Sequence, residues 1–235
     1  VAFPECALTG YGFESEMAVE TVAQSSDGPH VSAVVARGAE LGVQVAVGFV
    51  ERAGDRLFNS LLLAGPDGAQ HLYRKLHLPT MGLDRFVSPG DGGFHVANTP
   101  LGRIGLSICY DQSFPECARC LALDGAQLIL LATNWPQGAS GYKLTNARAL
   151  ENHVFNMAGN RVGCDGTTRF IGQSSIVGCD GETICTASAD QEETIYADLD
   201  LTLADRKRIV VHPGEHEVDR VGDRRAEWYG RLTRG

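Results

Sequence analysis

A cysteine stands where a predicted strand meets a predicted helix. Ile104, Leu106 and Ile108 alternate with small or polar residues, the pattern of a strand with one buried face. Cys109 follows this strand, and Pro115 opens a helical pattern. A thiol at such a junction lies beside free backbone N–H groups and the positive end of a helix dipole, which favour a thiolate and can stabilise an oxyanion. Cys109 is therefore a candidate nucleophile, and the alternative is a small buried side chain, the usual state of a cysteine.

Two more ionisable residues give this cysteine possible reaction partners. Glu5 and the preceding Pro4 stand at the exit of a short apolar stretch at residues 1–3, and Lys75 comes shortly after a predicted strand at residues 70–73. A carboxylate can take the thiol proton as a general base, and a lysine can stabilise a developing oxyanion. Taken alone, each of the two is most simply a solvated surface charge. Together with Cys109 they form a chemically coherent set.

The elements that must position these residues alternate between strands and helices, which predicts an α/β fold with some antiparallel hairpins. Between residues 74 and 98 the pattern is irregular, as expected for a long loop. Ser113 and Glu116 have the spacing of a capping box at the start of a helix. The remaining predictions are helices at 14–23, 30–41 and 143–152, helical residues at 201–208, and strands at 43–50, 57–64, 70–73, 127–132, 154–158, 171–177, 183–188 and 194–199.

Several short blocks carry a resemblance to a known family. They are FPE at 3–5, YRKLHLP at 73–79, GLSICY at 105–110, NWP at 134–136, ARALEN at 147–152 and NR at 160–161. In this order they resemble the signature blocks of the nitrilase superfamily, the carbon–nitrogen hydrolases. The similarity spans residues 1–219, nearly the whole chain.

The resemblance implies a role for each candidate residue. Glu5 would be the general base, Lys75 the oxyanion-stabilising lysine and Cys109 the nucleophile. The backbone N–H of Tyr110 would join Lys75 in the oxyanion hole.

Three further residues are candidates for substrate binding. Asn134 and Trp135 belong to a matching block, although Trp135 could equally close the core. Many family members carry an extra glutamate in the loop after the lysine. Counting back from Pro89 places it at Leu83, so either the neighbouring Asp84 supplies that carboxylate through a one-residue shift or this protein lacks it.

The resemblance also implies a reaction. We expect a hydrolase that cleaves a non-peptide carbon–nitrogen bond of a small amide or carbamoyl compound through a cysteine thioester, releasing ammonia or an amine, with no cofactor and no metal. Three alternatives stay open: a true nitrilase that converts a nitrile to an acid, a catalytically silent binding or scaffold member, and a thiol-redox protein that uses Cys117 and Cys120. A lone Cys-x-x-Cys without a second pair does not predict a metal site.

The architecture implied by the resemblance is a four-layer α-β-β-α sandwich, commonly dimerised. We expect a single carbon–nitrogen hydrolase domain over residues 1–235, with an extended C-terminal tail at about 210–235, in a homodimer or higher homo-oligomer. Chains of the family usually begin with a further strand and helix before the FPE block. This sequence does not contain them, so the first sheet would lack a strand if nothing precedes Val1, and whether the sequence is truncated stays open.

Composition narrows the class of protein and of partner. The 235 residues carry a formal net charge of −9 and contain no basic cluster with interleaved aromatic residues, which argues against nucleic-acid binding. The longest apolar runs are far shorter than a membrane span. Seven cysteines without regular spacing predict reduced thiols and hence a cytoplasmic location. Because the sequence begins with Val1 and not with Met, the question whether a targeting segment precedes it stays open.

Overall fold

The computed structural model describes residues 1–139 and 141–234, and its framework consists of two main β-sheets and four α-helices. The predicted mixed α/β class is confirmed. The helices are α1 (Glu16–Val22), α2 (Pro29–Leu41), α3 (Pro115–Leu123) and α4 (Gly141–Asn152). The strands are β1 (Val45–Ala53), β2 (Arg56–Ala64), β3 (Gln70–Arg74), β4 (His95–Thr99), β5 (Gly102–Ile108), β6 (Leu128–Thr133), β7 (Phe155–Asn160), β8 (Cys164–Asp165), β9 (Thr168–Arg169), β10 (Ser175–Val177), β11 (Thr183–Thr186), β12 (Arg208–His212) and β13 (His216–Asp219).

The first sheet consists of β1, β2 and β3, which are antiparallel neighbours in that order. The first residues of the chain run parallel to β1, because the N–H of Phe3 donates to the carbonyl of Ala46 and the N–H of Ala46 donates to Val1, both at 2.9 Å. Glu5 therefore leaves the edge of this sheet, and Lys75 directly follows its third strand.

The second sheet has the order β11-β10-β7-β6-β5-β4, and its central strands β5, β6 and β7 are parallel. Ile108 pairs with Ala132 at the carboxyl ends of β5 and β6. Because these ends lie side by side, Cys109 after β5 is brought close to Asn134 after β6. The junctions after parallel strands are common positions for functional residues.

An apolar core joins the two sheets. It contains Leu61 and Tyr73 from the first sheet and Leu106, Ile108 and Leu130 from the second, all nearly inaccessible to solvent. Burying such side chains stabilises each by about 1.5–3 kcal/mol relative to exposure. Cys109 belongs to the same cluster, so the nucleophile candidate lies where the two sheets meet.

The helices pack on the faces of the sheets that point away from this core. Val31 of α2 contacts Phe49 and Leu62 of the first sheet, and Leu121 of α3 packs with Ile129 of the second. The helix α2 begins with proline in its first turn and ends at Gly42, whose φ of 67° is a left-handed conformation that glycine adopts without steric cost.

The capping box predicted at the start of α3 is wrong. Phe114 is the N-cap of α3, and no side chain caps this end. Residues Cys109–Ser113 form a turn of 3-10 helix directly after β5, so Ser113 ends that turn instead of starting the α-helix. The first α-helical residue is Pro115, which has no N–H that needs a cap.

The strand predicted at residues 194–199 is also absent from the part of the chain that the structure describes. These residues have no assigned secondary structure and pair with no strand. The thiol of Cys185 in β11 donates to the carbonyl of Tyr196 at 3.7 Å, but no backbone ladder joins the two segments among the described residues. Alternating apolar side chains without a neighbouring strand do not make a ladder.

Two other segments are more regular than expected. The loop predicted at 74–98 contains a 3-10 turn at Gly82–Arg85 and the edge strand β4. Within the expected tail, β12 and β13 form a hairpin, and 3-10 turns follow at Ala226–Trp228 and Gly230–Thr233. Arg119 of α3 donates to the carbonyl of Arg220 at 3.1 Å, which attaches the segment to the rest of the fold.

Two further findings concern the state of the cysteines and the length of the helices. All seven cysteines, each within the described residues, have free thiols. Among the helices of residues 1–139 and 141–234, none has the length and the apolar character that a membrane crossing requires.

Candidate active site

The centre of the candidate site is a buried cluster of two carboxylates and one ammonium group. The Nζ atom of Lys75 donates to Oε1 of Glu5 at 2.8 Å and to Oδ2 of Asp84 at 2.6 Å, and all three side chains have no exposed surface. Three charges without solvent are stable only when they are paired and hydrogen-bonded. The structure thus brings Glu5 and Lys75 together as the sequence predicted, and Asp84 lies with them.

Asp84 reaches the cluster because of the turn that carries it. The 3-10 helix Gly82–Arg85 begins with Gly82 at φ 48°, where a Cβ atom would lie 2.5 Å from the ring of Tyr11. The close approach of this backbone to Tyr11 directs Asp84 inwards and buries Leu83 in a neighbouring apolar cluster. Asp84, and not Leu83, thus places its carboxylate beside Lys75.

Two neutral residues complete the hydrogen bonds of the carboxylates. The Nδ2 atom of Asn59 donates to Oε1 of Glu5 at 2.7 Å and to Oδ1 of Asp84 at 3.0 Å. The hydroxyl of Tyr11 donates to Oδ2 of Asp84 at 2.7 Å. Both residues are buried.

Cys109 occupies the first position after β5 and has a left-handed backbone with φ 42°. This conformation is rare for a residue other than glycine and costs on the order of 1–3 kcal/mol, so the surrounding structure must impose it. Burial and the nearby charge of Glu5 raise the pKa of the thiol to about 12, against the lowering effect of Lys75, the Thr133 hydroxyl and the Asn134 N–H. At neutral pH the thiol therefore needs a base to become a nucleophile.

The same burial changes the protonation of the other two groups. The pKa of Glu5 is raised above its ordinary value because burial and Asp84 outweigh the stabilisation by Lys75 and Asn59. Burial lowers the pKa of Lys75, but the two carboxylates raise it by more, so it stays well above its ordinary value. Lys75 is a permanent cation, and Glu5 is a base of increased strength.

The turn that carries Cys109 is held by Asp111. The carboxylate of Asp111 accepts from the Tyr73 hydroxyl at 2.8 Å, from the Ile108 N–H at 3.0 Å and from Nδ1 and the N–H of His77 at 2.7 and 3.1 Å. It is completely buried. Four hydrogen bonds to one carboxylate connect the turn to the strand end that positions Lys75.

The other three predicted residues lie around this centre in different ways. The Nδ2 atom of Asn134 donates to the carbonyl of Glu5 at 2.9 Å, and the side chain is buried. Tyr110 lies in the first turn of the 3-10 helix after Cys109, and its partly exposed ring packs edge-on against Phe114. Trp135 is 4% exposed and packs in the same core cluster as Cys109.

A cavity lies near the segment that follows β6. Its volume is about 630 Å³, and its lining includes Gln137, Tyr142, Arg169 and Phe170. The N–H of Ile171 donates to the carbonyl of Trp135 at 3.1 Å, which places this second lining segment beside the residues that follow β6. The cavity is of the size that small-molecule sites usually have.

Analysis of the sequence missed four residues that shape the site: Tyr11, Asn59, His77 and Asp111. Asn59 left a usable signal, because it lies within the apolar run from Leu57 to Leu63, and a polar group in a buried strand needs partners. His77 lies within the YRKLHLP block, but nothing there showed its role, because the side-chain partners of Tyr11, His77 and Asp111 named above are 34–73 positions away in sequence. Within the described residues, no group of three or more His, Cys, Asp or Glu side chains is arranged to hold a metal ion.

Comparison with known proteins identifies relatives of the whole chain. A family model described as carbon-nitrogen hydrolase matches residues 1–208. A protein named nitrilase from Pyrococcus abyssi is 37% identical over 234 residues, which are 98% of this chain and 86% of that protein. An N-carbamoylputrescine amidase from Solanum tuberosum is 34% identical over 190 residues, 72% of this chain and 63% of that protein.

Solved structures support the same relationship. A CN-hydrolase superfamily protein from Xanthomonas campestris, solved with an arsenic adduct in its active site, superposes with a TM-score of 0.78 and 30% sequence identity. The superposition covers 88% of this chain and 80% of that one. A carbon-nitrogen hydrolase from Helicobacter pylori gives a TM-score of 0.76 at 29% identity over 87% and 75% of the two chains.

Proposed function

Because this chain belongs to the carbon–nitrogen hydrolase family, we propose that it hydrolyses a small amide or carbamoyl compound through a thioester on Cys109. One observation carries the proposal. Asn134 joins Glu5 and Cys109, because its side chain donates to the carbonyl of Glu5 at 2.9 Å and its N–H bonds the thiol of Cys109, so a buried thiol of raised pKa lies near a buried carboxylate of raised pKa. A weakly acidic nucleophile beside a strengthened base is the arrangement that nucleophilic catalysis requires.

In the first half of the reaction, Glu5 accepts the proton of Cys109 while Sγ attacks the carbonyl carbon. The negative charge that forms on the carbonyl oxygen is stabilised by the ammonium of Lys75 and the backbone N–H of Tyr110. The carbon–nitrogen bond then breaks, and the nitrogen leaves as ammonia or an amine after taking the proton back from Glu5. The enzyme is left as a thioester with Glu5 ionised.

In the second half, Glu5 takes a proton from water, and the resulting hydroxide attacks the thioester carbon. Lys75 and the Tyr110 N–H again stabilise the oxyanion. The carbon–sulfur bond breaks, the acid is released, and the proton from Glu5 restores the thiol of Cys109. One water is consumed in each cycle, and no other reactant is needed.

The remaining predicted residues have supporting roles. Asp84 adds a second negative charge beside Lys75 and so keeps it protonated while Glu5 gains and loses its proton. The side chain of Asn134 donates to the backbone carbonyl of Glu5 and so fixes the backbone there. From this position Asn134 would also orient the bound substrate. Trp135, which packs in the same core cluster as Cys109, would form the inner wall of the substrate site.

An amide or carbamoyl substrate agrees with the potato relative, an N-carbamoylputrescine amidase. The second candidate function is that of a true nitrilase, which the name of the Pyrococcus abyssi relative favours at 37% identity. A nitrile would be attacked by the same thiol, and its nitrogen would take the place of the carbonyl oxygen. Association into a homodimer and a location in the cytoplasm belong to the same proposal.

Mass spectrometry with a substrate panel tests the proposal. The protein is mixed with small amides, carbamoyl compounds and nitriles, ammonia is measured, and peptide mapping locates any acyl adduct. An adduct on Cys109 together with ammonia from amides or carbamoyl compounds is the expected result. Acid and ammonia from nitriles alone would favour the nitrilase. Neither adduct nor ammonia, combined with a Cys109 that does not react with an electrophile near neutral pH, would favour a catalytically silent member.

A further inference from the structure

The two oxygens of the Glu5 carboxylate have different surroundings. Oε1 accepts two hydrogen bonds, from Nδ2 of Asn59 at 2.7 Å and from Nζ of Lys75 at 2.8 Å. Oε2 is buried and has no hydrogen-bond partner among residues 1–139 and 141–234. A buried carboxylate oxygen without a partner is costly, so it indicates an atom reserved for a group that comes and goes.

The amide of Asn59 can adopt only one orientation. Its Nδ2 atom carries two hydrogens and faces two carboxylates, Oε1 of Glu5 at 2.7 Å and Oδ1 of Asp84 at 3.0 Å. Its Oδ1 atom accepts from the thiol of Cys6 at 3.4 Å. Exchanging the amide oxygen and nitrogen would turn an acceptor towards two acceptors, so the partners determine the orientation.

Asn59 also solves a problem of charge. Glu5 and Asp84 compete for one Lys75, and two buried carboxylates in direct contact would share a proton instead of both being ionised. A neutral donor between them gives each carboxylate one hydrogen bond without adding charge. This keeps Glu5 available as a separate base.

We infer that Asn59 is a positioning residue which, with Lys75, holds Oε1 of Glu5 and thereby reserves Oε2 to take the Cys109 proton. The inference rests on the proposed function insofar as Glu5 is the base for Cys109. The hydrogen bonds of the Asn59 side chain go to Glu5, Asp84 and Cys6 and not to the thiol of Cys109, so Asn59 acts through Glu5.

The test measures alkylation of Cys109 by iodoacetamide as a function of pH, with peptide mapping to separate Cys109 from the other thiols. In Asn59→Leu the side-chain volume is similar, but both N–H donors are lost. The titratable groups around Glu5 are Lys75, Asp84, Cys6, Tyr11 and Cys109 itself, and all are kept. The variant loses a hydrogen bond to the ionised carboxylate, so the pKa of Glu5 rises. The acidic limb of the plot of alkylation rate against pH then moves to higher pH by about one unit, which makes alkylation about tenfold slower at any pH on that limb.

Turnover gives an independent measure. In Asn59→Leu we expect kcat to fall about 10²-fold and KM to change less than about threefold, because the base is misplaced while substrate contacts persist. Ser60→Ala is the matched control. Ser60 is the next residue of β2, equally buried, and its hydroxyl donates to Glu51 at 2.6 Å, away from the site. This variant is expected to lose some stability and to keep the wild-type alkylation profile and kcat.

A second pair of variants serves if Asn59→Leu does not fold. Cys6→Ala removes the donor at Oδ1 of Asn59, so the amide keeps its orientation but is held less firmly against Glu5, and the acidic limb moves in the same direction by a smaller amount. Cys6→Ser keeps a donor there and restores the profile. An unchanged acidic limb in Cys6→Ala and in any folded Asn59→Leu would overturn the inference. A shifted limb in a protein that hydrolyses no amide, carbamoyl compound or nitrile would support the inference and refute the proposed function.

Discussion

Nδ1 of His77 lies 2.7 Å from Oδ1 of Asp111, and this contact joins the two segments that carry the reactive groups. His77 is two residues beyond Lys75, and Asp111 is two residues beyond Cys109. The imidazole also stacks on Phe114 with ring centroids 3.9 Å apart. The distance between the lysine and the cysteine therefore depends on a pair that takes no part in the proposed chemistry.

The first prediction concerns this pair. Asp111→Ala should lower the free energy of unfolding by about 3–5 kcal/mol, because the His77, Tyr73 and Ile108 donors lose a buried charged acceptor. For a chain of this size the melting temperature would fall by roughly 6–20 °C. Thermal unfolding followed by circular dichroism measures the loss. The control is Asp190→Ala, which alters an exposed carboxylate and should change the free energy of unfolding by no more than about 0.5 kcal/mol. Equal melting temperatures for the two variants would contradict the role of Asp111 in holding the turn.

The second prediction concerns the nucleophile. Cys109→Ala should reduce turnover by at least about 10³-fold and leave the melting temperature nearly unchanged, because only one buried sulfur is removed. Ammonia release and thermal unfolding are the two measurements. Cys120→Ala is the matched control on α3 and should be fully active, which also tests the thiol-redox alternative for Cys117 and Cys120. Undiminished activity in Cys109→Ala would refute the proposed mechanism.

The third prediction uses the sign of an electrostatic effect. The charge of Asp84 raises the pKa of Glu5, so Asp84→Asn should lower that pKa. The acidic limb of kcat/KM then moves to lower pH, opposite to the shift expected for Asn59→Leu. A pH–rate profile measures it, and Asp91→Asn, which alters a surface carboxylate paired with Arg56 and Arg74, is the control. A limb that moves to higher pH would show that Asp84 does not act on Glu5 as the distances imply.

The fourth prediction concerns two histidines that join the edges of the sheets. Nδ1 of His71 on β3 lies 3.2 Å from Nε2 of His95 on β4. Burial and His71 lower the pKa of His95. A lowered folded-state pKa means that the unfolded chain binds the proton more readily, so the stability present above about pH 6.5 is lost as the pH falls.

Because both rings are partly solvated, the effect is small. Between pH 7 and 5 the wild type should lose less than about 1 kcal/mol to this pair, or at most about 2–4 °C in melting temperature. His95→Gln should show a smaller pH dependence over this range, whereas His30→Gln, an exposed histidine of α2, should match the wild type. If the melting temperatures of His95→Gln and the wild type changed equally between pH 7 and 5, the histidine pair would be excluded as the origin of the pH dependence.

Much of this protein could be predicted from local patterns. The alternating apolar residues before Cys109 and the proline at the start of α3 determine a strand–turn–helix unit, because periodicity and backbone restriction act over a few neighbouring residues. The same holds for the hairpin of β2 and β3. Glu5, Lys75 and Cys109 were candidates on residue type and position, and the resemblance of the surrounding blocks to a family implied a role for each of them.

Only the tertiary structure decided what surrounds these three residues. Asn59 reaches Glu5 across 54 positions of sequence, and Tyr11 reaches Asp84 across 73. Which neutral groups satisfy a buried charge depends on how two sheets meet, and no local pattern records that. The unformed strand at 194–199 has the same explanation, because a strand needs a partner at hydrogen-bonding distance. Local sequence determines which elements can form, and the packing of distant segments determines which pairs of side chains meet.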